Sequence, residues 1–426
     1  MFTKQVLPNG LTVVVEEIPY VRSVSVGVWV AAGSRYESDE NAGISHFLEH
    51  LFFKGTERRT AKDIAESIEG VGGQLNAFTA KEYACYYAKV LDEHLPLAMD
   101  VLSDMIRHSK FAQADIEKER GVILEEIRMY EDTPDELVHD LFLQTVWEGH
   151  PLGRAILGTE ESVGSLDRDR IVSYYQGMYC PNNVVVAAAG HVTAKEIIDM
   201  VAEAFGTMEG CSMRLPSMSP EAHSDILLRA KATEQVHLCM GSKAVPLDDD
   251  DYYATQVLNT ITGGGSSSRL FQEIREERGL AYSVYSYISA YKDAGLFTAY
   301  AGMSPDQAAA VTELMMKVLS RLADEGPTKE ELERAREQLK GGLMLGLEST
   351  SNRMTRIGKN EITLGRHITP DEIIDKVNAV TLQDINRLAA HFFRPSAFTF
   401  VGLGPVDRTG LAGVIGQWRK PVISKV

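Results

Sequence analysis

No run of apolar residues in the 426-residue chain approaches the roughly 18 needed for a membrane-spanning helix, so a helical membrane protein is not expected. Cysteine is scarce, and Cys85, Cys180, Cys211 and Cys239 are scattered with no CxxC spacing. That pattern argues against a disulfide framework and against a thiolate zinc site, which leaves histidine and carboxylates to hold any metal. Positive charge is also short: 43 Lys and Arg stand against 60 Asp and Glu, for a formal net charge of −17. A nucleic-acid-binding surface is therefore not expected, whereas solubility and a preference for neutral or basic partners are. The opening "MFTKQVLPNGLTVVVEE" lacks the charged start, apolar core and small-residue cleavage site of a secretory signal, so a cytoplasmic location is expected.

What is present begins with length. A chain of this size that is 44% hydrophobic can bury a large core, and it predicts two or three domains. The stretch "IVSYYQGMYCPNNVVVAAAGHV" from Ile171 matches "INRLAAHFFRPSAFTFVGLGPV" from Ile385 without a gap, each reading as helix, Pro-bearing turn, buried strand and Gly stop. The chain thus reads as a duplicated domain, 1–208 and 226–426, joined by a linker, "EGCSMRLPSMSPEAHSD" (209–225), that lacks apolar periodicity.

The first half opens with a hairpin around Pro8, Asn9 and Gly10 and a third alternating strand, "SVSVGVWVA". A helix over "SHFLEHLFFKGT" follows, then a second that Thr60 would cap with Asp63 three residues on, then a strand pair in "GGQLNAFTAKEYACYYAKV", then three or four helices. Strands and helices in blocks predict an α+β fold, with two homologous domains each packing helices on a mostly antiparallel sheet.

His46 and His50 lie four apart, so on a helix both imidazoles leave one face and can converge on a metal ion. Glu49, on the same face, is placed to take a proton from a metal-bound water and return it to a leaving amine. A third ligand is expected from the helix in "DIEKERGVILEEIRMYEDTPDE". There Glu119 and Glu126 are seven apart and point one way, while Glu125 faces solvent, so either of the pair could bind metal and the other hold a ligand in place. In the second half, an ungapped alignment at offset 210 puts Gln256, Asn259 and Thr260 where the first has His46, Glu49 and His50, which leaves that copy without metal ligands.

Together "HFLEHLFFKGT", "GGQLNAFTAKEY", "EKERGVILEEI", "GHPLGRAILGTEESV" and "SSSRLFQEIREERGLAYSVYSY" resemble the inverted-motif zinc peptidases of the pitrilysin family, in the branch of bacterial homologues of the mitochondrial processing peptidase. The resemblance spans essentially the whole chain. It implies one zinc ion per chain on His46, His50 and Glu126, Glu49 as general base, and Glu119 as the supporting carboxylate. It implies that Asn76, Ala77, Phe78 and Thr79 form an edge strand that extended substrate joins, and that Arg275 and Tyr282 steady substrate and the oxyanion. "GGGSSS" (263–268) stands in the place of the family's glycine-rich loop. The implied activity is endopeptidase cleavage of unfolded peptides or protein segments in an enclosed chamber, built by a homodimer whose sites are shared between subunits. A non-catalytic structural or peptide-binding subunit of the same fold is the alternative.

Overall fold

The computed structural model describes residues 1–211, 218–406 and 408–419, so residues 212–217 of the expected linker lie outside the described residues. The first half runs β1 (Phe2–Val6), β2 (Thr12–Glu17), β3 (Ser23–Val30), α1 (Ile44–Phe52), α2 (Ala61–Glu69), β4 (Gln74–Thr79), β5 (Ala84–Leu91), α3 (Leu95–His108), α4 (Gln113–Glu131), α5 (Pro134–Val146), α6 (Glu160–Ser165), α7 (Arg168–Met178), β6 (Val184–Gly190) and α8 (Ala194–Phe205). The second runs β7 (Ile226–Ala230), β8 (Val236–Ala244), α9 (Tyr252–Thr262), β9 (Ser283–Ala290), β10 (Gly295–Met303), α10 (Ala308–Glu325), α11 (Lys329–Gly346), α12 (Thr350–Leu364), α13 (Pro370–Ala379), α14 (Leu382–Phe392), β11 (Thr399–Gly404) and α15 (Arg408–Arg419). Apart from β1, and with a short π-helical turn, Phe271–Glu276, standing where α2 stands in the first half, the two successions match element for element.

The sheets match too. Their orders are β1-β2-β6-β3-β5-β4 and β7-β11-β8-β10-β9, antiparallel throughout except for β2 beside β6 and β7 beside β11. This is the α+β fold expected from the blocks of strands and helices. The expected local signals also form: β1 and β2 pair across the Pro8–Gly10 turn, and Thr60 Oγ1 accepts from the Asp63 N–H while Asp63 accepts from the Thr60 N–H.

By internal contacts the chain divides into two compact units that do not follow the sequence halves. One comprises 1–128, 154–217 and 344–368; the other comprises 129–153, 218–343 and 369–426. Each unit's sheet therefore carries, on one face, a helix supplied by the other half of the chain.

In the first unit, Val24, Val26, Val28 and Val30 of β3 face a core shared with α1, α2, α3 and α7. The opposite face, with Val14, Trp29, Cys85, Val185 and Ala187, is covered by Met354 and Ile357 of α12. Gly358 lets that helix lie on Trp29, because a Cβ there would sit 2.3 Å from the indole nitrogen. Polar contacts fix the register: Ser25 Oγ lies 3.0 Å from Thr350 Oγ1, and Arg356 binds Glu16 on β2 at 3.2 Å.

In the second unit, Val236, Leu238, Met240, Phe297 and Phe400 face α9, α10, α14 and α15. Cys239, Leu296, Tyr300, Val401 and Leu403 face Val138, Leu141 and Phe142 of α5. Here too a polar contact fixes the helix. His139 of α5 places Nδ1 2.8 Å from Tyr287 Oη and Nε2 3.1 Å from Tyr285 Oη.

One expectation is corrected. Cys180 and Cys211 form a disulfide, with their Cα atoms 5.6 Å apart, while Cys85 and Cys239 are free and buried. The two partners are 31 residues apart with no motif between them. They meet because Cys180 precedes β6 and Cys211 follows α8, and the chain returns along α8 over about the distance it travelled along β6. Among the described residues, no helix is long and apolar enough to cross a membrane.

Candidate metal centre

Helix α1 buries Ile44, Phe47, Leu48, Leu51 and Phe52 in the core, and that apolar stripe orients the remaining face. Gly43 begins the helix with φ of 91° and supplies no side-chain cap. The cap comes instead from Glu37, a buried carboxylate that accepts the Gly43 N–H at 2.8 Å and the Ser45 N–H at 2.9 Å. Its negative charge at the positive end of the helix fixes the turn that carries His46. Burial raises the Glu37 pKa, and the two amide bonds oppose that rise.

His46 and His50 face each other with ring centres 4.7 Å apart. Helix α4 buries Ile116, Glu119 and Ile123, and so presents Glu119 and Glu126 to α1 as the seven-residue spacing requires. Glu126 Oε2 lies 3.8 Å from His46 Nε2 and 3.6 Å from His50 Nε2. Among the described residues, His46, His50 and Glu126 are the group whose ligand atoms come close enough together to hold a metal ion. Glu125 is exposed and paired with Arg128 on the outside of the helix.

The second carboxylate of α4 turns to the back of a histidine. Glu119 Oε2 lies 3.2 Å from His50 Nδ1, which leaves Nε2 directed toward Glu126. Lys54 places its ammonium 2.9 Å from the other Glu119 oxygen. His46 Nδ1 is buried and has no hydrogen-bond partner among the described residues.

The electrostatics suit a cation. Burial, with His50 alongside, pushes the His46 imidazole down to about 4, so it stays neutral and keeps a lone pair to offer. Burial also pulls His50 down, but the carboxylates of Glu126 and Glu119 outweigh it and raise the pKa overall, so positive charge is favoured at this point. The His50 imidazole beside it, with His46, holds Glu126 below the usual carboxylate range.

Tetrahedral zinc with bonds of about 2.0–2.1 Å places neighbouring ligand atoms about 3.3 Å apart. The 3.6 and 3.8 Å separations here are within a few tenths of an ångström of that, and two imidazoles with one carboxylate are a donor set of zinc hydrolases. The residues fit a zinc ion.

Glu49 sits between the histidines in sequence and accepts a 2.5 Å hydrogen bond from Thr79 Oγ1. Burial raises its pKa, with the Thr79 bond opposing. Thr79 ends β4, which pairs with β5 on one side and is the outer strand of its sheet. Asn76, Ala77 and Phe78 lie along this edge. Asn76 Oδ1 accepts the Ala77 N–H at 2.8 Å, and Phe78 packs edge-on to Trp29.

Arg275 and Tyr282 belong to the second unit, and they are brought together there: the guanidinium lies 5.0 Å from the Tyr282 ring centre and 4.8 Å from that of Phe271. Arg275 lies in the π-helical turn, Phe271–Glu276, and Tyr282 is 79% exposed, which is no place for a core aromatic. Gly263, the first residue of the glycine run, ends α9, and a Cβ there would meet Ser286 N of β9 at 2.5 Å, so the loop needs glycine for this approach.

Sequence reasoning missed Glu37, Lys54 and the bond from Thr79 to Glu49. Lys54 carried a signal, since it stands four residues beyond His50 at helical spacing. Glu37 carried none, because its loop conformation alone brings it under α1.

Residues 12–160 match the family model described as insulinase (peptidase family M16), and 165–339 match the one described as the peptidase M16 inactive domain. An uncharacterized zinc protease of Bacillus subtilis (strain 168) is 49% identical over 92% of this chain and 96% of its own length. One from Streptomyces coelicolor is 45% identical over 90% and 85% respectively. In fold, the chain is similar to a protease from Helicobacter pylori, with a TM-score of 0.90 at 22% identity over 95% of this chain and 99% of that one.

Proposed function

The chain belongs to the insulinase-type peptidase family M16, and on that footing we propose that it is a zinc-dependent endopeptidase acting on unfolded peptides or protein segments. The observation that carries the proposal is the convergence of His46, His50 and Glu126 beside a Glu49 whose carboxylate is already held by Thr79.

His46, His50 and Glu126 hold the metal, one ion per chain, and Glu119 fixes the His50 ring by its Nδ1. Zinc, when bound, supplies a Lewis acid that polarises the scissile carbonyl and lowers the pKa of water. Glu49 takes the proton of the attacking water on a carboxylate oxygen and passes it to the amine that leaves. The outer edge of β4, from Asn76 to Thr79, binds extended substrate as an added strand. That strand ends at the residue that holds Glu49, so it lays the peptide beside the base.

Arg275 and Tyr282 form a cation and phenol pair suited to an oxyanion. We assign them to the site of a second subunit in a homodimer, in a chamber that two chains enclose. The cytoplasmic location belongs to the same proposal, and the Cys180–Cys211 bond is the argument against it, since cytosolic thiols are kept reduced. A non-catalytic subunit of the same fold is the competing reading, and the match of residues 165–339 to the inactive-domain model is what favours it.

Elemental analysis of the purified protein separates the two. About one zinc per chain, with cleavage of a mixed peptide library that stops on chelation, supports the peptidase. Absence of zinc together with absence of cleavage would establish the subunit reading.

A further inference from the structure

Glu119 is 1% exposed, and its two oxygens have different partners. Oε2 faces His50 Nδ1, while Oε1, which makes no aligned hydrogen bond with any group among the described residues, has the Lys54 ammonium at 2.9 Å as its counter-charge. A buried carboxylate with one oxygen uncompensated is costly, and rotation about its last torsion is the cheapest way to relieve that cost. Rotation would take Oε2 off His50.

Lys54 is well built to prevent this. It follows the end of α1 by two residues, its N–H donates to Leu51 O at 3.0 Å, and it lies on the face of His50, four residues on. Its side chain is 31% exposed, so the ammonium keeps part of its hydration while facing a fully buried partner. A cation at this point also complements the negative end of the helix.

We propose that Lys54 is a positioning residue for the metal centre: it pins Glu119 so that Glu119 pins the ring of His50 with Nε2 toward the metal. The chain of contacts is Lys54 Nζ to Glu119 Oε1, Glu119 Oε2 to His50 Nδ1, and His50 Nε2 toward the position shared with Glu126 and His46. The inference rests on the zinc reading given above and adds to it a residue that touches neither metal nor substrate.

The test is zinc affinity, measured on the full-length protein by competition with a chromogenic chelator, alongside the melting temperature of the zinc-free form. Removal of a group that orients a metal ligand typically costs 10–100-fold in affinity, and Lys54→Met is expected to weaken zinc by about 10-fold. Lys54→Arg, which keeps the charge, should recover most of that loss. In a Glu119→Gln background, Lys54→Met should have almost no further effect, because the group it acts through is gone. A purely structural lysine would instead lower the zinc-free melting temperature and act equally in both backgrounds. Lys54→Gln serves the same cycle should the methionine variant not fold.

Zinc affinity in Lys54→Met equal to or tighter than wild type, or a loss undiminished by Glu119→Gln, overturns the inference while leaving the zinc reading intact. A wild-type protein that binds no zinc overturns both.

Discussion

Helices α1 and α9 hold corresponding places in two versions of one design, and both touch the outer strand of their own sheet. In the first, Glu49 is bonded to Thr79 of β4; in the second, Asn259 Oδ1 is bonded to Ser286 Oγ of β9 at 2.7 Å. The contact is conserved in kind while its chemistry is neutral in one copy and ionisable in the other. Around Glu49 stand two imidazoles and two further carboxylates; at the corresponding positions around Asn259 stand Gln256 and Thr260, which titrate nowhere near neutrality. A helix against an edge strand is thus a structural joint of this fold, and ionisable groups gather at one instance of it.

Glu49→Gln should have the largest effect that distinguishes the copies. It turns the joint of the first copy into one like the second, and kcat on a peptide substrate should fall about 10²–10⁴-fold with zinc retained. Zinc lost in that variant would make Glu49 a ligand and spoil the parallel with Asn259.

Next in size is an acid sensitivity that His139 gives the second unit. Burial pushes His139 down to about 4, against the opposing pull of Asp135, with His237 adding to the depression. Its unfolded value is about 6.5, so the unfolded chain binds the proton more readily, and the contribution is complete above that pH and lost as pH falls toward 4. Between pH 7 and 5, unfolding free energy should drop by about 2 kcal/mol more in wild type than in His139→Phe. Parallel urea titrations at the two pH values check this, and equal slopes would show that the imidazole is not held neutral.

The smallest effect tests the inert joint directly. Asn259→Ala removes one partner of Ser286 and should cost about 1 kcal/mol of stability. Zinc content and kcat should not move; a fall in kcat would give the second joint a role in turnover.

The comparison also shows where the sequence was legible. A helix bearing His46, Glu49 and His50 follows from spacing alone, and so does the shared face of Glu119 and Glu126, because both rest on the 3.6-residue period. The repeat at Ile171 and Ile385 announced α7 with β6 and α14 with β11. The covering of each second sheet face could not be read. The amphipathic pattern of α5 and α12 says that one side of each helix is apolar, and nothing in it says whose sheet it meets. Glu37 under α1, the Lys54 to Glu119 contact and the Cys180–Cys211 bond were hidden for the same reason: each is a meeting of side chains set by tertiary path and not by local period.

The exchange of α5 and α12 has a consequence for the history of the chain. After the duplication, each copy came to depend on the other for one wall. Residues 1–208 made alone would expose Val14, Trp29 and Val185 to water, and 226–426 made alone would expose Leu296, Val401 and Leu403. A gene split at the middle would therefore yield two products that stay soluble only in each other's company. Loss of either copy would thus strip an apolar face of the other, which ties the second copy to the first whatever it contributes to chemistry.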